Sequence, residues 1–404
     1  MNPVTKVNRR IVSDVHLFQR RTSIKWRCLY MGTLFLTKVM VSSLQRWVVV
    51  LFLPLGFWFL LACNSDQANQ KAGEERKSAP DAEAVLKDLN RRIAMNGSDA
   101  TAYAERADWW LQRDRDVSVN TTDSGLAVSA EASPDQPREA LRKAMADIKS
   151  ALLLDTGNAL FYCILGEIYT RIGLISEADD ALRVAMARNP SLVRAYLRRG
   201  ELALINRQYS VAFKYLNEAL RRDKRLAEAY LLKGMTHLEQ KDTTAARSAW
   251  LTAIEQDPRL YAAYLELGLR EPDPRLAHRY FSNVLEIRPG HTEALYARAM
   301  LLQGQGYPDS ARQDYRALLQ LNKSHRDALF NLAYLDLLEQ KYDPALQGFD
   351  RVIALGSADL PALANRGLCY EMMDRKAEAS ADYRECLRLQ KGYPQALQGL
   401  NRLK

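Results

Sequence analysis

Cysteine and histidine are scarce in this chain of 404 residues, with five of each. The cysteines, at 28, 63, 163, 369 and 386, are too few and too scattered for a disulfide framework or a zinc cluster. Beyond Ala62 four histidines occur, His237, His278, His291 and His325, and none has a Cys or a second His at ligand spacing. His291 and His325 stand in equivalent turns of a repeating pattern and read as exposed turn residues. HExxH, GxSxG and a phosphate-cradling Gly-rich loop are all missing. The expectation is therefore a protein that is not an enzyme and needs no cofactor or metal.

Charge of one sign is missing from most of the chain as well. The formal net charge is +9, yet the segment 1–62 holds nine Lys/Arg against the single acid Asp14. From Cys63 onward 48 basic side chains face 47 acidic ones, so the basic footprint of a nucleic-acid binder is absent from the body. An apolar content of 48% with 26% charged residues is the balance of a folded chain and excludes disorder throughout.

One long apolar run is present near the front. Trp47 to Ala62 (WVVVLFLPLGFWFLLA) is uncharged throughout, follows Arg46, and ends at Cys63. It is long enough for a signal-peptide core and short for a membrane span. Small residues before the boundary and a Cys directly after it resemble the lipobox of bacterial lipoproteins, which implies lipidation at Cys63. The alternative is an uncleaved signal anchor with Cys63 at the membrane edge; in both, the basic flank stays in the cytoplasm and the rest is exported. Counting from Met40 gives a leader of ordinary length, so residues 1–39 read as an untranslated or dispensable extension and 40–62 as the signal peptide. Asn64 is not the Asp that retains enterobacterial lipoproteins in the inner membrane, and that resemblance points to the outer membrane, facing the periplasm. Residues 63–80 then read as a lipidated Cys and flexible tether, with an average span of roughly 20 to 25 Å.

The body, 81–404, repeats itself. Ala recurs at 144, 178, 212, 246, 277, 311, 345 and 379, a 34-residue period broken once by a step of 31. Twelve positions earlier in most units stands a second small residue: Gly166, Gly200, Gly234, Gly268, Ala299, Ala333 and Gly367, with Ala107 as the first of the series. Asn189-Pro190, Asp257-Pro258 and Arg288-Pro289 close units with helix-stopping prolines. This period and slot pattern resembles the tetratricopeptide repeat. The resemblance implies an all-α, right-handed α-solenoid of about eight helix pairs. Capping helices are expected at Asp81 to Ala94 and Pro394 to Lys404.

Two units depart from the pattern. In the first, the step from Ala107 to Ala144 is 37 instead of 12, and the polar, Ser/Thr-rich stretch 114–136 reads as an inserted surface loop. The fifth is three residues short and places Glu271-Pro272-Asp273-Pro274 where its first helix should finish, which predicts a truncated helix and a change of curvature at 268–277.

Function is then expected on the concave face, built from first helices. Positions three before and one after the small slot are apolar from the third unit on: Leu197, then Leu231 with Met235, Leu265 with Leu269, Tyr296 with Met300, Phe330 with Tyr334, and Leu368. On the same face eleven acids, among them Glu167, Glu201, Glu228, Glu239 and Glu266, face Arg171, Arg194 and Arg198. The chain reads as a membrane-tethered adaptor with an acidic, apolar-floored groove suited to a basic amphipathic or extended protein segment, and not to nucleic acid. Closure of the stripe into a homodimer seam or into plain packing is the alternative, and an envelope glycan-binding or hydrolytic protein is a further one. Cys163, Cys369 and Cys386 read as buried free thiols, though an export compartment permits a disulfide.

Overall fold

The computed structural model describes residues 82–119, 139–356 and 359–404. Contacts divide the chain into Met1–Lys77 and Ser78–Lys404, and every described residue belongs to the second unit. The signal run 40–62, Cys63, the tether and the greater part of the insertion lie outside the described residues.

Eighteen helices and no strand occur among the described residues. Helix α1 (Ala82–Met95) covers the front. Eight antiparallel pairs follow, each a first helix and a second: α2 (Ala100–Val119) with α3 (Glu139–Leu154), α4 (Ala159–Ile172) with α5 (Ile175–Arg188), and α6 (Val193–Ile205) with α7 (Tyr209–Arg222). Next come α8 (Ala227–Glu239) with α9 (Thr243–Gln256), α10 (Tyr261–Arg270) with α11 (Pro274–Ile287), and α12 (Thr292–Gly304) with α13 (Pro308–Leu321). The last are α14 (Arg326–Leu338) with α15 (Tyr342–Ala354) and α16 (Leu360–Met372) with α17 (Lys376–Leu389), before the closing helix α18 (Pro394–Arg402). Eight repeats with a cap at each end is the count the sequence period predicts. Helix α2 runs to Val119, so the first residues of the stretch 114–136 continue the helix instead of opening the loop.

The small slot works by letting a large residue in. At Gly234 of α8 an added β-carbon would lie 2.5 Å from Cδ1 and 2.8 Å from Cε2 of Trp250, which stands four residues after Ala246 on α9. Leu182 and Leu216 fill the slots at Gly166 and Gly200 in the same way, as do Phe281 at Gly268 and Tyr383 at Gly367. The recurring Ala residues of the second helices are themselves buried, Ala144, Ala178, Ala212 and Ala246 each with no exposed surface. Neither helix of a pair covers its apolar stripe alone, so burial accrues only as units stack.

Within most units the chain reverses through one residue in the left-handed region: Gly173, Arg207, Lys241, Gly306, Gln340 and Asp374, with φ between 56° and 90°. The fifth unit lacks that residue. There α10 stops at ten residues, Glu271 is extended, and Asp273 caps α11 by accepting from the Arg275 amide, with Pro274 in the first turn. The shortened helix predicted from Pro272 and Pro274 is thus present, and the missing turn accounts for the single step of 31.

Candidate inner-face interaction site

Successive first helices approach one another at α2 and α4, α4 and α6, α6 and α8, and again at α14 and α16. No two successive second helices come as close among the described residues, so the first helices line the inside of the curve. Between α8 and α14 the close approach lapses. The inner face therefore has two parts of different character.

The front part is stitched by ions. Arg194 on α6 reaches Asp108 on α2 at 2.5 Å and Glu167 on α4 at 2.5 Å. Arg198, one turn on, meets Glu167 at 3.2 Å, Glu201 at 2.9 Å and Glu228 of α8 at 2.6 Å. Arg198 and Glu167 are buried. Burial opposes the charge on Arg198, but Glu167, Glu228 and Glu201 together outweigh it and raise its pKa well above the ordinary arginine value. Cys163 lies 4.0 Å from Glu167, and burial, reinforced by that carboxylate, pushes its thiol up to about 12. Four helices are thus tied by two guanidinium groups, each paired with carboxylates on neighbouring helices.

That arrangement corrects the acid count. Arginines outside the counted positions reach the same face: Arg92 pairs with Glu105, Arg270 with Glu266, Arg326 with Asp327 and Arg402 with Glu371. Much of the expected acidic excess is neutralised inside the molecule. The sequence placed these arginines on other faces because helical period assigns a residue to a side, while a long guanidinium side chain crosses to its neighbour.

The apolar positions also divide. Leu197, Leu231, Met235, Leu265 and Tyr334 are buried and pack between helices, so they do not floor an open groove. Glu201, Glu266, Tyr296, Phe330 and Leu368 are half-buried, and Glu239, Leu269 and Met300 are exposed. Burial is the largest influence on Glu266 and raises its carboxyl pKa against the pull of Arg270. The exposed group falls where the first helices part: Leu269 is 43% exposed, Met300 41% and Leu338 42%, large fractions for side chains of this size. Phe330 stacks parallel to Tyr334 with ring centres 6.4 Å apart, and the Asn331 side-chain amide lies 3.3 Å from the Met300 sulfur. This stretch presents one large apolar group per repeat.

Sequence reasoning missed two features. Arg106–Asp147, Arg298–Asp314 and Arg366–Asp382 clamp first helix to second within a unit, each with two bonds of 2.6–2.9 Å. The signal was an Arg directly before the small slot and an Asp three residues after the recurring Ala. The turn histidines, read as exposed, are helix caps: His291 and His325 each accept from the backbone amide three residues on, at 3.2 Å. His291 is only 2% exposed and His325 half-buried. The three described cysteines are free and buried. A cleft of about 510 Å³ beside α5, α6 and α7 contains Asp179, Arg183, Arg199 and Tyr215, but Asp179 already pairs with both arginines and Arg199 lies 4.5 Å over the Tyr215 ring.

Comparison with known proteins agrees with the repeat reading. A tetratricopeptide repeat model matches residues 197–261 and 296–360, and a second one matches 360–393; the chain carries tetratricopeptide repeats. The human protein O-mannosyl-transferase TMTC3 is 27% identical over 230 residues, covering 56% of this chain and 21% of that protein. The chain thus spans about a fifth of that relative's length. Among solved structures, the human IFIT1 dimer with PPP-AAAA superposes with a TM-score of 0.51 at 16% identity, covering 77% of this chain and 69% of that one. That likeness shows the fold alone. The C-terminal part of a repeat protein from Cytophaga hutchinsonii gives a TM-score of 0.48 at 16% identity over 59% of this chain and 99% of its own.

Proposed function

We propose that this chain is a non-enzymatic adaptor, held to the bacterial cell envelope by a lipid on Cys63, and that it seats a protein partner on the inner face between α8 and α14. Tetratricopeptide repeats in general serve protein interaction. The observation that carries the reading here is the exposure of Leu269 and Met300, flanked by Tyr296 and Phe330, where the first helices part. A segment with spaced apolar side chains removes that surface from water, at roughly 25 cal/mol per Å² buried. Glu239 and Asp273 are exposed beside the stretch and favour a partner with basic residues between its apolar anchors. The front part, its guanidinium groups engaged, acts as scaffold.

Placement at the outer membrane, facing the periplasm, rests on Cys63 and on Asn64 after it. The sugar-transfer activity in the name of TMTC3 belongs to that protein, and Glu167, Glu228 and Glu266 on the inner face are each held by an arginine instead of converging as an acid/base pair.

A photo-crosslinking residue at position 300, in cells, tests the reading. A crosslinked partner that disappears when Leu269→Ala and Phe330→Ala are added to the position-300 crosslinking variant, with helicity unchanged, supports it. If only a second copy is trapped, and solution mass falls with the same variant, the apolar stretch is a homodimer seam. Undiminished capture of a partner by the Leu269→Ala, Phe330→Ala double variant overturns the groove.

A further inference from the structure

His291 joins the shortened fifth repeat to the helix that carries Tyr296 and Met300. It caps α12: its Nδ1 accepts from the Ala294 amide at 3.2 Å, and its carbonyl accepts from Leu295 at 3.0 Å. Since Nδ1 is the acceptor, the ring is neutral with its proton on Nε2, and that nitrogen is buried without a hydrogen-bond partner. The ring packs 5.3 Å from the ring of Tyr261 on α10. Arg288, at the end of α11, lies 4.5 Å over that tyrosine and donates to its hydroxyl at 2.9 Å. The groups that face the imidazole from the elements packed on it are thus a phenol and a guanidinium, with Glu293 following on its own helix.

We propose that His291 is an acid-sensitive latch on the inner-face groove: protonation removes the cap of α12, sets an imidazolium beside Arg288, and frees the joint between α10 and α12. A protonated Nδ1 presents a hydrogen to the Ala294 amide instead of a lone pair, so the cap cannot form. Burial, with Arg288 adding to it, pushes the pKa of this ring from 6.5 to about 4. The direction follows from linkage. The opened joint takes up the proton from about pH 6.5 downward while the closed joint refuses it until about pH 4, so closure weakens throughout that window as pH falls. The shift corresponds to about a tenfold rise in joint opening per pH unit. This regulation rests on the groove reading, because Met300 and Tyr296 ride on the helix that His291 caps.

Amide hydrogen exchange in α12, corrected for intrinsic rates, tests the latch at pH 4 to 7 on the full chain without any partner. Wild type is expected to show opening of α12 rising about tenfold per pH unit below pH 6, with α8 as an unresponsive reference. His291→Asn keeps a capping acceptor and cannot titrate, so its α12 profile should be flat. Parallel profiles in the two proteins, or equal loosening of α8 and α12, overturn the proposal. If His291→Asn disturbs the fold, the wild-type ring titration by histidine-selective NMR decides: it must fall near pH 4 and coincide with α12 opening, and a titration near 6.5 with α12 closed refutes the latch. The crosslinking at position 300 is done at pH 7, so a lost groove and a lost latch register separately.

Discussion

Replacement of Gly234 by Ala measures how tightly a repeat closes. The added methyl at 234 would overlap the indole of Trp250, 2.5 Å from Cδ1 and closer still to Nε1. Trp250 cannot step aside freely, because it is 1% exposed and its Nε1 donates to the Leu231 carbonyl at 3.2 Å. Overpacking of this kind costs about 1–3 kcal/mol. A weakened buried hydrogen bond adds about 1 kcal/mol. Alanine returns about 1 kcal/mol as the better helix former. The net is a loss of about 2 kcal/mol, concentrated in the fourth unit because repeats couple to their neighbours. Gly304→Ala is the control: no atom lies near its added methyl, and it should be neutral or stabilising. The assay is urea unfolding followed by circular dichroism, with amide exchange in α8 and α9 to locate the loss. A cycle with Trp250→Ala should show positive coupling, since the new methyl fills part of the space the indole leaves. Equal stability of Gly234→Ala and Gly304→Ala would refute the close approach of α8 and α9.

Three further outcomes follow from the same geometry, and a fourth from the lipidation proposed at Cys63. Arg198→Met should cost about 3–5 kcal/mol by leaving Glu167 buried beside too little positive charge, whereas Arg183→Met, in an exposed and solvent-screened pair, should leave the unfolding midpoint nearly unchanged in the same assay. Glu266→Gln should stabilise the array at pH 7 and lose that advantage as pH falls from above the usual carboxylate range down into it, because burial raises this carboxyl and its charged form is the one that opposes folding; equal gains at pH 3 and pH 7 would contradict the assignment. Burial pushes Cys163, Cys369 and Cys386 up to about 12, so peptide mapping after thiol labelling at pH 8 should find all three unmodified until denaturant is added. Cys63→Ser should release a folded protein from membranes on fractionation, and retention without the lipid would indicate a signal anchor instead.

The regular period, the small slot and the recurring Ala announced the repeat count, the helix order and the buried faces, because repeat packing is local and each helix states its own contacts in its spacing. Pro272 and Pro274 alone foretold the shortened α10, since proline acts on the backbone without reference to neighbours. What the sequence lacked was any account of reach between helices. Arg194 finds Asp108 on a helix two repeats away, and Arg270 and Arg402 settle on acids that looked free, so charge counted by face overstated the acidity of the groove. Helical phase set Leu231 and Leu269 on one side, yet Leu231 is buried and Leu269 exposed, because exposure depends on how near the next first helix comes. Spacing along the chain is enough to say which side chains share a helix face, since that is a property of one helix; which of them meet solvent is a property of several, and it emerges only once α2 to α8 close up and α8 to α14 part.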